Sequence, residues 1–157
     1  LKKINLKYVV LCENLSVSQI NSAGVPNYRM RTLIIDIKFN KKYFERVLHH
    51  EVFHLVNESY KNYFKDPEWK KFNNLDFKYA ACSTCSNRLN LSILDKTEGF
   101  LTEYSMSTPS EDMAEVFSFL IKDKKVIENK ALKDPVLSKK ISYIKKNIIK
   151  IDQNFKF

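Results

Sequence analysis

Apolar and polar residues along this chain alternate with two different periods, separated by breaks. Tyr8-Val9-Val10-Leu11 is a short β-branched run that predicts a strand, and a loop bearing Ser, Asn, Gly and Pro follows through Asn27. From Thr32 to Ile37 the alternation is cleaner, with Leu33, Ile35 and Ile37 on one face and Asp36 on the other, and a second strand is predicted there. Asn40 then stands as the N-cap of a long helix reaching about Tyr60, with Phe44, Val47, Leu48 and Leu55 as its buried stripe. Residues 66–87 carry Trp69, Phe72, Phe77 and Tyr79 without a period and are expected to be irregular. A further helix is predicted from near Thr108 to about Ile121, with Met113, Val116, Phe117, Leu120 and Ile121 on its apolar face. Asp134-Pro135 breaks the pattern before a last helix, in which Ile141, Ile144, Ile148 and Ile149 recur at helical spacing. The predicted class is α+β and mostly helical, with a small sheet ahead of the first long helix.

Length and composition narrow this picture. With 157 residues the chain is expected to form one domain, 1–157, around one core. Only 2 glycines and 4 prolines exclude a collagen-like or loop-dominated chain. No apolar run reaches the length of a membrane span. The net charge of +9 favours acidic partner surfaces, and less so nucleic acid. The charge thickens at Lys139, Lys140, Lys145, Lys146 and Lys150, where the spacing predicts a solvated lysine face on the last helix. Cys82 and Cys85 form a C-x-x-C without the second pair a zinc knuckle needs, which leaves a local disulfide or two free thiols; Cys12 stands alone. The first residue is Leu and not Met, so a targeting segment could have been removed; localisation is left open, with a secreted or cell-envelope bacterial protein as one reading.

The chemistry is concentrated in His49-His50-Glu51-Val52-Phe53-His54, which contains H-E-x-x-H and holds all 3 histidines of the chain. Residues four apart on a helix point the same way, so His50 and His54 can offer two imidazoles to one metal ion. Glu51 lies about 100° around the helix, within reach of a water polarised by that metal and outside the ligand set. A glutamate so placed takes the proton from the attacking water and returns it to the leaving amine. His49 points elsewhere by the same spacing and is expected to be a packing neighbour. The cofactor predicted is one Zn2+ per chain, because two imidazoles, one carboxylate and an open position are what catalytic zinc uses.

A catalytic zinc takes three protein ligands, and no histidine remains to be the third. The position that H-E-x-x-H-x-x-G-x-x-H peptidases need for a last histidine is occupied by Tyr60. The best candidate lies in Ser110-Glu111-Asp112-Met113-Ala114-Glu115, where Glu111 and Glu115 share a helix face and Ala114 permits close packing. One carboxylate could bind the metal while the other orients a ligand histidine through its remaining ring N–H. Thr108-Pro109-Ser110-Glu111 also matches a capping box with proline at the first helical position. Glu111 therefore has two readings, metal ligand and helix cap.

A helix-borne H-E-x-x-H followed by a glutamate on a second helix resembles the gluzincin pattern. Within it, Tyr104-Ser-Met-Ser-Thr-Pro-Ser-Glu111-Asp-Met-Ala-Glu115-Val-Phe117 is similar to the corresponding stretch of the family of the anthrax lethal factor protease domain, and the chain also resembles a group of bacterial zinc-binding metallopeptidases. The resemblance implies a zincin-like fold, Glu111 as zinc ligand, Glu115 as its supporter, and Tyr104 with its hydroxyl near the oxyanion of the tetrahedral intermediate. It further implies that Thr32–Ile37 is an edge strand along which an extended peptide lies. Cys82-Ser-Thr-Cys85 departs from the lethal factor pattern. The expected function is a zinc-dependent endopeptidase acting on peptide or protein substrates, with Glu51 as general base. The competing expectation is a zinc-stabilised basic module that binds acidic partners or nucleic acid and hydrolyses little.

Overall fold

The computed structural model describes residues 2–4, 6–17 and 19–157; Ser18, within the predicted first loop, lies outside the described residues. Strands β1 (Tyr8–Cys12), β4 (Gly24–Asn27) and β5 (Thr32–Asp36) form a mixed sheet in the order β1-β5-β4. β1 runs parallel to β5, pairing Tyr8 with Thr32 through Cys12 with Asp36. β4 runs antiparallel to β5, pairing Gly24 with Ile35 through Asn27 with Thr32. A small hairpin of β2 (Ser16–Val17) and β3 (Ile20–Asn21) projects between them. Five helices follow: α1 (Phe44–Ser59), α2 (Asp66–Lys70), α3 (Pro109–Lys122), α4 (Lys124–Ala131) and α5 (Pro135–Ile151).

The sheet corrects two expectations. β5 is the central strand and not an edge, and β4, inside the predicted loop, is the edge next to α1. Leu33 and Ile35 are buried as expected, whereas Ile37 is exposed and Asp36 is buried. The reason is local: the Asp36 carboxylate accepts the backbone N–H groups of Leu15, Lys38 and Phe39, which turns the chain out of the sheet before Ile37.

α1 lies between the sheet and the other helices, and its sequence has an apolar residue for each side. Leu55, with Phe44, Leu48 and Val52, packs on Leu33 and Ile35; Phe53 and Val56 face the main core. That core is built with Met113, Ala114, Val116, Phe117 and Leu120 of α3, Ile127 of α4, and Leu137, Ile141, Ile144 and Ile148 of α5. Asn40 does not cap α1; its side chain accepts the Lys42 N–H in a preceding turn, and the helix begins at Phe44. α3 starts where expected, with Thr108 as N-cap, Pro109 in the first turn and Glu111 and Asp112 near its positive end. α5 starts in the same way, with Asp134 accepting the Leu137 N–H.

The lysine face of α5 has one exception. Lys140 is fully buried, ion-paired to the equally buried Asp112 at 2.6 Å, and donates to the Gly99 carbonyl at 2.7 Å. Trp69 Nε1 and the Tyr79 hydroxyl donate to the same Asp112 oxygen, so the irregular segment is tied to α3 and α5 at one point. Gly99 adopts φ +78°, and a Cβ there would meet Val136 Cγ1 at 2.5 Å, so only glycine fits.

Candidate metal centre

α1 and α3 pack side by side with Ala114 at no exposed area between them, and this brings the two carboxylates of α3 against the histidines of α1. Glu111 Oε2 lies 2.8 Å from His50 Nε2 and 3.1 Å from His54 Nε2, and the two ring nitrogens are 3.1 Å apart. The outer ring nitrogens are each occupied: His50 Nδ1 is 2.9 Å from Glu115 Oε1, and His54 Nδ1 is 3.3 Å from Ser110 Oγ. Carboxylates cannot donate, so without metal His50 carries a proton on both ring nitrogens, and its Nε2 lone pair is freed for a cation only when the inner proton leaves while Nδ1 keeps its hydrogen bond to Glu115. Thr102 Oγ1 donates to the second oxygen of Glu115 at 2.8 Å and fixes that carboxylate in turn.

His50 Nε2, His54 Nε2 and one Glu111 oxygen thus converge on one point of a buried pocket, which holds a proton without metal and offers two lone pairs and a carboxylate to a cation that displaces it. The separations approach the ~3.3–3.4 Å expected between ligands of a tetrahedral ion with ~2.0–2.1 Å bonds. His50, His54 and Glu111 therefore fit a zinc ion by donor type, number and spacing. The electrostatics agree. Burial opposes a charge on His50, but hydrogen bonds and charge from Glu111 and Glu115 outweigh it and push its pKa up to about 10. Burial also works against the Glu111 carboxylate, yet the two histidines hold its pKa far below the usual range. The pocket attracts positive charge.

Glu111 answers both of its sequence readings with different atoms. Its backbone N–H donates to Thr108 Oγ1 at 3.2 Å, which caps α3, while its carboxylate turns to the histidines. Glu51 is buried beside this cluster, and burial raises its pKa, with His50 and His54 partly offsetting the effect. β4 crosses directly over it: a Cβ on Gly24 would stand 2.6 Å from Glu51 Cγ. Tyr104, in a 3-10 turn at Tyr104–Met106, places its ring centroid 5.7 Å from that of His50. Burial first, and then Glu111 and Glu51, keep its hydroxyl protonated by raising its pKa. His49 is partly buried and takes no part.

A cavity of about 500 Å3 opens in front of His50, Glu51, Tyr104 and Glu115. Cys82 and Cys85 form a disulfide, and the two residues between them, Ser83 and Thr84, line this cavity. Sequence reasoning missed four residues of the site: Ser110, Thr102, Gly24 and Arg46, the last two also lining the cavity. Two of these carried a signal. Ser110 precedes Glu111, and Gly24 is one of only 2 glycines. Thr102 and Arg46 carried none.

The model of a family described as "Putative zinc-binding metallo-peptidase" matches residues 13–154, which include every residue of the cluster. No curated protein and no solved structure matches the chain.

Proposed function

Since the chain belongs to that zinc-binding metallo-peptidase family, its activity is that of a zinc-dependent peptidase, and we propose how its residues cleave a peptide bond within a chain. His50, His54 and Glu111 hold the metal. Zinc, when bound, acidifies water toward neutrality and polarises a carbonyl. Glu51 accepts the proton of the attacking water and delivers it to the departing amide nitrogen. Its burial suits both steps, because a carboxylate with a raised pKa takes a proton more readily than an exposed one. Tyr104 donates its hydroxyl to the developing oxyanion, a role for which the retained proton is needed. Glu115 and Thr102 hold the His50 ring, and Ser110 holds that of His54. The likeness of residues 104–117 to the lethal factor protease family supports the roles of Tyr104 and Glu115.

The substrate lies along the outer edge of β4. Ala23 accepts the Asp36 N–H, so in the antiparallel ladder Gly24 and Pro26 direct their backbone groups away from β5 and toward an added strand. Proline supplies only its carbonyl, which leaves the Gly24 N–H as the donor nearest Glu51.

The observation that carries this reading is the convergence of His50, His54 and Glu111 beside a buried Glu51. Zinc content and cleavage of an unstructured protein substrate test it. Wild type should hold one zinc, His54→Ala and Glu111→Ala should lose it, and Glu51→Gln should keep it while cleavage falls by roughly 10²–10⁴-fold. Zinc retained in Glu111→Ala would reduce that glutamate to a helix cap, and full activity of Glu51→Gln would remove it as the base.

A further inference from the structure

Arg46 occupies an unusual position among the charged groups of this chain. It is only 7% exposed, yet among the described residues no carboxylate lies within ion-pairing distance of it. The other buried cationic groups are matched, Lys140 by Asp112 and His50 by Glu111 and Glu115. The guanidinium carbon instead lies over two rings, 4.3 Å from the Phe119 centroid and 4.9 Å from that of Tyr43, and Nη2 donates to the Leu91 carbonyl. Its remaining nitrogens have no acceptor among the described residues. A buried cation normally has a partner.

Its place in the cleft says where the partner comes from. Arg46 sits one helical turn before His50, about 6 Å along the axis. It lines the same cavity as His50 and Glu51, and it is the cationic side chain of that lining other than the histidine. Much of the remaining wall is apolar: Val17, Ile20, Phe39, Val47, Leu89 and Leu91. Apolar walls keep the local dielectric low, which strengthens attraction between a guanidinium and an entering anion. The overall charge of +9 draws anionic chains toward the molecule before they reach the cleft.

We propose that Arg46 determines specificity, by pairing with a carboxylate of the bound peptide close to the bond that is cut. The carboxylate is either an acidic side chain or the terminus of a short peptide. This inference rests on the peptidase reading for its biological meaning, but its physical content is a binding preference that can be measured without turnover.

Zinc-loaded Glu51→Gln protein is titrated calorimetrically with acetylated, amidated alanine–leucine peptides. One set carries a single Glu at each position in turn, a second carries Gln there, and a third carries Gln with a free terminal carboxylate. Binding tighter by about tenfold or more is expected for Glu over Gln at one position. Adding Arg46→Gln should bring the ratio to one, and Arg46→Lys should keep part of it. An Arg46-dependent gain confined to the third set would identify the terminal carboxylate as the partner. Equal binding of all three sets, or a Glu preference that survives Arg46→Gln, would overturn the proposal. Should Arg46→Gln fail to fold, the wild-type-side ratio and Arg46→Lys still decide. The same peptides given to the zinc-loaded enzyme with Glu51 intact separate the two claims: an Arg46-dependent preference in binding without any cleavage would sink the peptidase reading and leave this one standing.

Discussion

In His50, burial and two carboxylates act on one imidazole in opposite senses, and the carboxylates win. The ring's pKa rises from its ordinary 6.5 to about 10, so without metal the interaction stabilises the fold fully below pH 6.5 and is lost as pH rises through 10. Zinc must displace that proton. Zinc affinity should therefore increase at least tenfold per pH unit across that window, with at least one proton released per ion at about pH 7. Calorimetry in two buffers of different ionisation enthalpy reads the proton directly, and zero release would contradict the assignment. At Gly24 the constraint is steric. A methyl group there would need the space of Glu51 Cγ and Ile35 Cδ1, 2.6 and 3.0 Å away. Gly24→Ala is expected to displace Glu51 and lower kcat by about tenfold or more with zinc content unchanged. Unaltered kcat would show that the strand yields instead of the glutamate.

Among the elements, the long stretch between α2 and α3 has little regular structure, and side-chain anchors hold it in place. Tyr79 donates to Asp112, Arg88 Nη1 to the Met106 carbonyl at 2.7 Å, Arg46 to the Leu91 carbonyl, and Ala80 N–H to the Ser107 carbonyl. The Cys82–Cys85 disulfide closes the turn that carries Ser83 and Thr84 into the cleft wall beside Tyr104. None of the candidate metal ligands belongs to this segment. Replacing both cysteines by serine should thus raise KM several-fold, by roughly the cost of a misplaced wall, and lower the thermal midpoint by about 4–8 °C while leaving zinc content unchanged. Peptide kinetics and metal analysis of Cys82→Ser/Cys85→Ser check this, and loss of zinc would show that the turn supports the ligands as well.

At the scale of the whole molecule, the helices are joined by an apolar core with one charged pair inside it. Burial pushes the Asp112 carboxyl up and the Lys140 ammonium down, and each group partly offsets that effect on the other. Lys140→Met removes one partner and leaves the carboxylate with Trp69 and Tyr79 alone. A loss of about 3 kcal/mol in urea unfolding is expected, with part of it recovered by adding Asp112→Asn, which removes the unpaired charge and keeps an acceptor. No recovery in the double variant would mean that Lys140 stabilises by packing against Trp69 and Phe100, whose ring centroids lie 5.5 and 3.8 Å from Nζ. Removal of zinc would act elsewhere, because the candidate ligands His50, His54 and Glu111 lie where α1 meets α3 and not at this pair.

Local patterns in the sequence determined more of this protein than its short sheet would suggest. The spacing of His50, Glu51 and His54 on a helix, the start of α3 at Thr108-Pro109 and the start of α5 at Asp134-Pro135 are all fixed within one or two turns of chain, and all were legible. The pairing of Glu111 and Glu115 on one face was legible for the same reason. Other features depend on residues far apart. β5 became central because β4, four residues inside a predicted loop, returned to cover its edge, and no periodicity of so short a strand announces that. Lys140 looked like one more lysine of a solvated face until α3 supplied Asp112 to bury with it. Glu111 was divided between cap and ligand until α1 and α3 packed, after which backbone and carboxylate each took one role. Arg46 reads as an ordinary helix residue; only the closing of Phe119, Tyr43 and Leu91 around it leaves a buried cation facing the cleft. Spacing along a helix is set by local backbone geometry, whereas the partner of a buried charge is set by which elements meet.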